Sequence, residues 1–282
     1  MVQKKAVNLF DDKILKPEKQ PAVASRDTVE GVVRQQFGAS KTISDLYVSD
    51  AFLAVKEAAT CDSLDGLKER LLQRLSQNSE GTRVRNARFI IRWFFPDGID
   101  GIAKKTWSAY GDDRILMDVV RYLYLSQEPV MGTCVADCLF PIEQGMRVPA
   151  AEFDRFLVSY YRDLPTKKTT QRLKTNLTKL GILEASRGHD HLLVPLVPSK
   201  TALLILTHSI FAPTGVRTVE LKRLLADPFW KYLGFKSEDA VRAVYREADA
   251  SGILGKYVVA DQLEQITTRW SLDEFLFNKP RL

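Results

Sequence analysis

Between Thr166 and Gly181 the residues Lys167, Lys168, Gln171, Arg172, Lys174, Thr175, Thr178 and Lys179 recur at spacings that share one side of a 3.6-residue helix. No Asp or Glu interrupts the stretch, so its cations have no local carboxylate three or four residues away. Such a face suits a polyanion. Lysine and arginine neutralise phosphates and release counterions, while Gln171, Thr175 and Asn176 can reach base edges or sugar. Base-specific reading is less supported: a bidentate contact to guanine needs Arg172, which sits at the edge of the face, and lysines with small threonines suit backbone contact. The competing reading is a solvated helix face beside another domain.

The elements that must position this face are legible around it. Leu173, Leu177 and Leu180 follow an i, i+4, i+7 pattern, the stripe of a helix buried along one side. Gly181 then predicts the exit, because glycine takes a positive φ at little cost. Ile182-Leu183 and His191 to Val194 read as two short strands around the turn Arg187-Gly188-His189-Asp190. Upstream, Pro149 to Tyr161 reads as a helix with Phe153, Phe156, Leu157 and Tyr160 on one face, followed by the turn Arg162-Asp163-Leu164-Pro165. Helix, turn, helix, glycine exit and hairpin together predict a winged helix-turn-helix. In its wing Arg187 and His189, with His191, are candidates for a narrow, negative minor groove; a plain polar hairpin tip is the alternative.

Before this unit, helices are expected from Ser49 to Ala58, from a cap at Asp62 or Ser63 through Leu75, from Gly81 to Phe95, from Asp113 to Ser126 and from Pro129 to Leu139. The third of these sets Arg85, Arg88 and Arg92 on a stripe within an otherwise apolar and aromatic surface. Arginines there need partners. Arg92 is expected to pair internally, with Asp112, Asp113, Asp118 or Asp137 as candidates; Arg85 and Arg88 stay open between internal pairing and an anion-binding surface. After the wing, a shift of 71 residues places Thr166 on Ser237, Leu173 on Val244, Leu177 on Ala248 and Gly181-Ile182-Leu183 on Gly252-Ile253-Leu254. Strand-like Tyr257 to Val259 and Gln265 to Trp270 follow. The second helix of this echo carries Glu238, Asp239, Glu247 and Asp249 against Arg242 and Arg246, so it is expected to pack on the protein rather than meet phosphate.

Composition bounds the rest. An apolar fraction of 45% is that of an ordinary globular protein, and 41 basic against 35 acidic residues, net +6, leave only a modest cationic excess. Its placement must therefore carry the meaning. Cys61, Cys134 and Cys138 do not form a disulfide framework, which fits a cytoplasmic protein. Zinc from His189, His191 and the Cys134/Cys138 pair is disfavoured, since those cysteines lie on an apolar helix. Neither a metal nor a cofactor is expected. The most apolar run, Ala202 to Phe211, is too short to span a bilayer, and the N-terminus has no signal-peptide pattern. Phosphate-loop, dinucleotide, nucleophile-elbow and His-Glu-x-x-His motifs are missing, so no catalytic residue is assigned and no enzyme is expected. The expected fold class is mainly α: a flexible tail over 1–40, a helical domain over 41–145, a winged helix-turn-helix over 146–200 and a smaller, winged-helix-like α+β unit over 201–282.

Thr82-Arg83-Val84-Arg85 leading to Ile91-Arg92, the Trp107 and Tyr110 pair, Val135-Ala136-Asp137, Phe153 to Leu157, and Thr169-Thr170-x-Arg172-Leu173 running into Leu180-Gly181-Ile182-Leu183 form an ordered set. In these short motifs, over about residues 45–200, the chain resembles the BrxA family, an accessory component of BREX bacteriophage-exclusion systems. The resemblance implies a mostly helical, non-enzymatic, DNA-binding protein whose helical part is like that of the antitermination factor NusB and is joined to a winged helix. It carries over Arg83, Arg85, Arg92 and Arg172 as family-like positions. Residues 201–282 depart from the family's pattern. Double-stranded DNA is thus the expected partner, with Arg83, Arg85 and Arg88 added to the basic helix and wing as candidate contacts, and with other defence-system proteins as further partners. A sequence-specific winged-helix transcription regulator, and an RNA-binding or protein-interaction scaffold, are the alternatives.

Overall fold

The computed structural model describes residues 43–186, 190–261 and 263–278. These residues belong to one compact unit, which contains the expected boundaries at 145 and 200, while the expected tail over 1–40 lies outside the described residues. The unit is mainly helical, with two small antiparallel sheets.

The first helices are α1 (Val48–Ala58), α2 (Leu64–Arg74), α3 (Glu80–Phe94), α4 (Ile102–Tyr110) and α5 (Asp113–Gln127). Side-chain caps set where several of them start. Ser63 accepts from the Gly66 N–H at 3.1 Å, and Asp112 accepts from the Arg114 and Ile115 N–H groups at 2.7 and 3.2 Å. Helix α5 is the central one, with Leu116, Val119, Val120 and Tyr124 fully enclosed. Trp93 of α3 meets the Tyr124 ring edge-on at 5.1 Å. A short helix α6 (Pro129–Thr133) then widens into a π-helical turn over Cys134–Leu139.

Next come β1 (Arg147–Val148), α7 (Ala150–Tyr161), α8 (Lys167–Lys179), β2 (Leu183–Ala185) and β3 (His191–Leu193). The sheet order is β1-β3-β2, with Val148 opposite His191 and Leu183 opposite Leu193. Leu173, Leu177 and Leu180 are fully buried, as their spacing predicts.

The apolar run after this sheet becomes α9 (Lys200–Phe211), buried on nearly every side and packed on α5. A helix that is apolar all round belongs in a core, and among the described residues no helix is long and apolar enough to cross a membrane. The last described elements are β4 (Thr218–Glu220), α10 (Leu221–Ala226), α11 (Phe229–Leu233), α12 (Glu238–Ala250), β5 (Lys256–Ala260), β6 (Leu263–Thr267) and α13 (Leu272–Asn278). The second sheet has the order β4-β6-β5.

The 71-residue echo is therefore structural. In both units the first strand pairs with the third and the third with the second. Thr166 caps α8 through the Thr169 N–H at 3.1 Å, and Ser237 caps α12 through the Ala240 N–H at 3.2 Å. Gly181 and Gly252 leave the helices at φ 71° and 69°. The next residues close the same turn, Ile182 N–H to Leu177 C=O at 3.0 Å and Ile253 N–H to Ala248 C=O at 2.8 Å. One buried ion pair ties both units to α5. Arg121 binds Asp118 at 2.6 Å and donates to the Leu180 carbonyl at 3.1 Å, while Asp118 accepts from the Ser199 N–H at 3.0 Å where α9 begins.

Candidate nucleic-acid interface

Helix α8 presents three faces rather than two. Its leucine stripe is buried. A second stripe, Arg172, Asn176 and Lys179, again at i, i+4 and i+7, holds the segment 43–47 against the helix. Arg172 donates to the Ile43 carbonyl at 3.0 Å and pairs with Asp45 at 3.1 Å. Asn176, fully buried, accepts from the Leu46 N–H at 3.0 Å and donates to the Ser44 carbonyl at 2.8 Å and the Tyr124 hydroxyl at 2.7 Å. Lys179 donates to the Leu46 carbonyl at 2.7 Å and lies 4.5 Å from the centre of the Tyr47 ring. Arg172 and Lys179, both expected as phosphate contacts, are used in gripping this strap. Asn176, offered above as a base-edge contact, is likewise spent inside.

The third face is open. Lys167, Lys168, Gln171 and Thr178 are exposed, and Lys174 and Thr175 half-buried. Gln171 donates to the Thr175 hydroxyl at 3.3 Å, and Thr178 folds back on the Lys174 carbonyl at 3.0 Å. Among the described residues Lys167, Lys168 and Lys174 meet no carboxylate. Two of these cations stand in the first turn, where the helix dipole already presents positive charge and where α8 has no acidic residue. A bound anion there meets both the lysines and the free N–H groups of the helix start.

The other candidates separate. Arg85 and Arg88 are exposed on α3, without an ion pair among the described residues. Helix α3 also lines the strap, through Asn86, Phe89, Ile90 and Trp93 around a small void with Asp45, Leu46 and Tyr47. Arg83 is half-buried and donates to the Gln77 carbonyl at 2.8 Å. Arg92 does pair internally, but with Glu128 rather than any of the four aspartates considered; Asp118 is taken by Arg121. Burial pushes the Glu128 carboxyl up, against the pull of Arg92 and the Trp93 N–H. Arg187 and His189 lie outside the described residues. His191 packs edge-on against Phe153 with ring centres 5.8 Å apart. Cys134 is buried and its thiol bonds that of Cys138, which raises the first and lowers the second from the usual cysteine range. Among the described residues no three His, Cys, Asp or Glu side chains gather as a metal site.

The acidic counterpart α12 does not bury its outer face. Asp239 is 91% exposed, and the charges quench one another: Arg242 pairs with Glu238 at 3.1 Å, Asp239 at 3.2 Å and Glu264 at 2.9 Å. The helix packs on the protein through its other side, where Val241, Val244, Tyr245 and Ala248 are buried.

No family model and no curated protein matches the chain. Among solved structures, a crystal structure of SspB superposes with a TM-score of 0.53 at 12% sequence identity, covering 83% of each chain. A magnesium-ion-bound SspB crystal structure gives a TM-score of 0.49 at 11% identity over 74% of this chain and 80% of that one. At 12% identity the first likeness is one of fold alone.

Proposed function

We propose that this chain is a non-enzymatic protein that binds double-stranded DNA chiefly through the phosphate backbone. In this reading β1, α7, α8 and the β2–β3 hairpin act as a winged helix-turn-helix with α8 as the inserted helix, and the second unit is a winged-helix-like repeat with a different role. The observation that carries it is the open face of α8, where Lys167, Lys168 and Lys174 stand free of carboxylates at and near a helix N-terminus. The same position in the repeat has its charges neutralised internally. The resemblance to BrxA supports an accessory role in a bacteriophage-defence assembly, with other proteins of that assembly as partners.

With Arg172 and Lys179 engaged in the strap, the count of phosphate contacts from the described part of α8 is about three. Titration of duplex DNA across salt concentrations should then give a log–log slope of roughly −3, at about −0.9 per contact. Unrelated duplexes should bind alike, and RNA of equal length more weakly. Lys168→Glu combined with Lys174→Glu should flatten the slope to about −1. An unchanged slope in the folded variant removes α8 as the interface; a large preference for one duplex favours a sequence-specific regulator; tighter RNA binding favours the RNA reading.

A further inference from the structure

The second sheet ends on an open edge. Among the described residues strand β5 pairs with β6 alone, Lys256 opposite Thr267, Val258 opposite Gln265 and Ala260 opposite Leu263. The hairpin closes directly after the Ala260–Leu263 pair, so that pair, Val258–Gln265 and Lys256–Thr267 are the hydrogen-bonded ones. The N–H and C=O groups of Tyr257 and Val259 consequently point away from β6. Apolar side chains accompany them: Val258 is 37%, Val259 61% and Leu263 44% exposed. No charged residue lies between Lys256 and Asp261. The matching edge of the first sheet is blunted, since β2 has only three residues, Leu183–Ala185, with Glu184 at its centre. Short or charged edges resist further pairing, whereas longer apolar ones invite it.

We propose that β5 is a self-pairing edge that joins two copies of this chain about a two-fold axis through Val258. In that antiparallel register Tyr257 lies opposite Val259 of the second copy and Val259 opposite its Tyr257. All the outward groups of both residues are then used, in four hydrogen bonds. Val258 faces its own copy across the axis. Lys256 lies opposite Ala260, so like charges do not oppose each other across the axis. This self-complementarity is what a two-fold interface requires. Val258, Ala260 and Leu263 share the outer face, and the two copies bring two such patches side by side. The inference does not depend on DNA binding, because β5 shares no residue with α8.

Sedimentation velocity of the full chain from about 1 to about 200 µM suits an interface below the usual size. The wild type should show reversible monomer–dimer exchange. Val258→Lys and Val258→Glu, each placing like charges across the axis, should each raise the dissociation constant at least about tenfold, and their equimolar mixture should restore the dimer. Val259→Pro deletes an outward N–H without touching the β5–β6 ladder and should also be monomeric. A wild type that stays monomeric overturns the proposal. So does a dimer that survives both Val258→Lys and Val259→Pro, or a mixture of folded variants that fails to re-associate.

Discussion

Helices α8 and α12 start from equivalent hydroxyl caps and end on equivalent left-handed glycines, yet their surfaces are opposite in kind. Lys167 and Lys168 of α8 correspond to Glu238 and Asp239 of α12, and Asn176, buried in the strap, corresponds to Glu247, which pairs with Lys200 at 2.6 Å in solvent. The shared framework needs only the cap, the buried stripe and the glycine; everything outside them is free to vary. The acids of α12 agree with the dipole at a helix start and the lysines of α8 oppose it. A helix that tolerates opposed charge without local neutralisation is the one to test for an external anion, as stability yields to function at binding sites.

The largest contrast is at the second stripe. Asn176→Leu strands the Leu46 N–H, the Ser44 carbonyl and the Tyr124 hydroxyl in a dry interior, and should cost about 3 kcal/mol or more, from roughly 1–3 kcal/mol per buried unsatisfied group. The melting temperature should fall by about 6–12 °C for a unit of this size. Glu247→Leu breaks only a surface pair and should stay within about 1 kcal/mol. Equal losses at the two positions would mean that the strap does not anchor α8.

The next contrast exchanges the first turns. Lys167→Glu with Lys168→Asp removes two phosphate contacts, and at about 0.15 M salt duplex affinity should fall roughly 30-fold. The same change should leave thermal stability equal or higher, by about 0.6–2 kcal/mol for two charges that now suit the dipole. Glu238→Lys with Asp239→Lys runs the other way, taking two of Arg242's partners and opposing the dipole, and should lower stability by about 1 kcal/mol. Affinity and stability moving together in the first variant would refute the trade-off.

Both frameworks were legible because they are local. The Leu173, Leu177, Leu180 stripe, the Gly181 exit and the 71-residue echo each depend on residues close in sequence, whose period and backbone needs are visible without the fold. The strap was not. Arg172, Asn176 and Lys179 also share a helical stripe, but their partners in the strap are 127 to 133 residues away, and polar side chains look the same whether they face solvent or a buried backbone. The Arg92 pairing failed for the same reason: Glu128 stands just before α6, and only the packing of α3 on α5 brings it near. The short strands β1 and β4 were missed because two or three residues carry no readable alternation.

The smallest effect separates the units by pH. His208 of α9 is fully buried and stacks on Phe275 of α13 with ring centres 4.1 Å apart. The position 71 residues earlier is Asp137, which is exposed. The Nδ1 of His208 lies 2.8 Å from the Leu204 carbonyl, to which it donates in the neutral ring, and Nε2 is enclosed without a hydrogen bond. Burial holds the imidazole below its ordinary value, against the pull of the Leu204 bond. The unfolded chain therefore takes up this proton first, at about pH 6.5. The stabilisation is complete above that pH and is lost as pH falls toward the folded-state value. Asp118 and Glu128, both raised by burial, act with the opposite sign, so the readout is the difference between wild type and His208→Gln. Denaturation at pH 7.5 and 5 should show the wild type losing more stability than the variant, with the protection factors of the α13 amides, corrected for the pH dependence of intrinsic exchange, lower at pH 5; parallel losses in both would show that His208 does not titrate on unfolding.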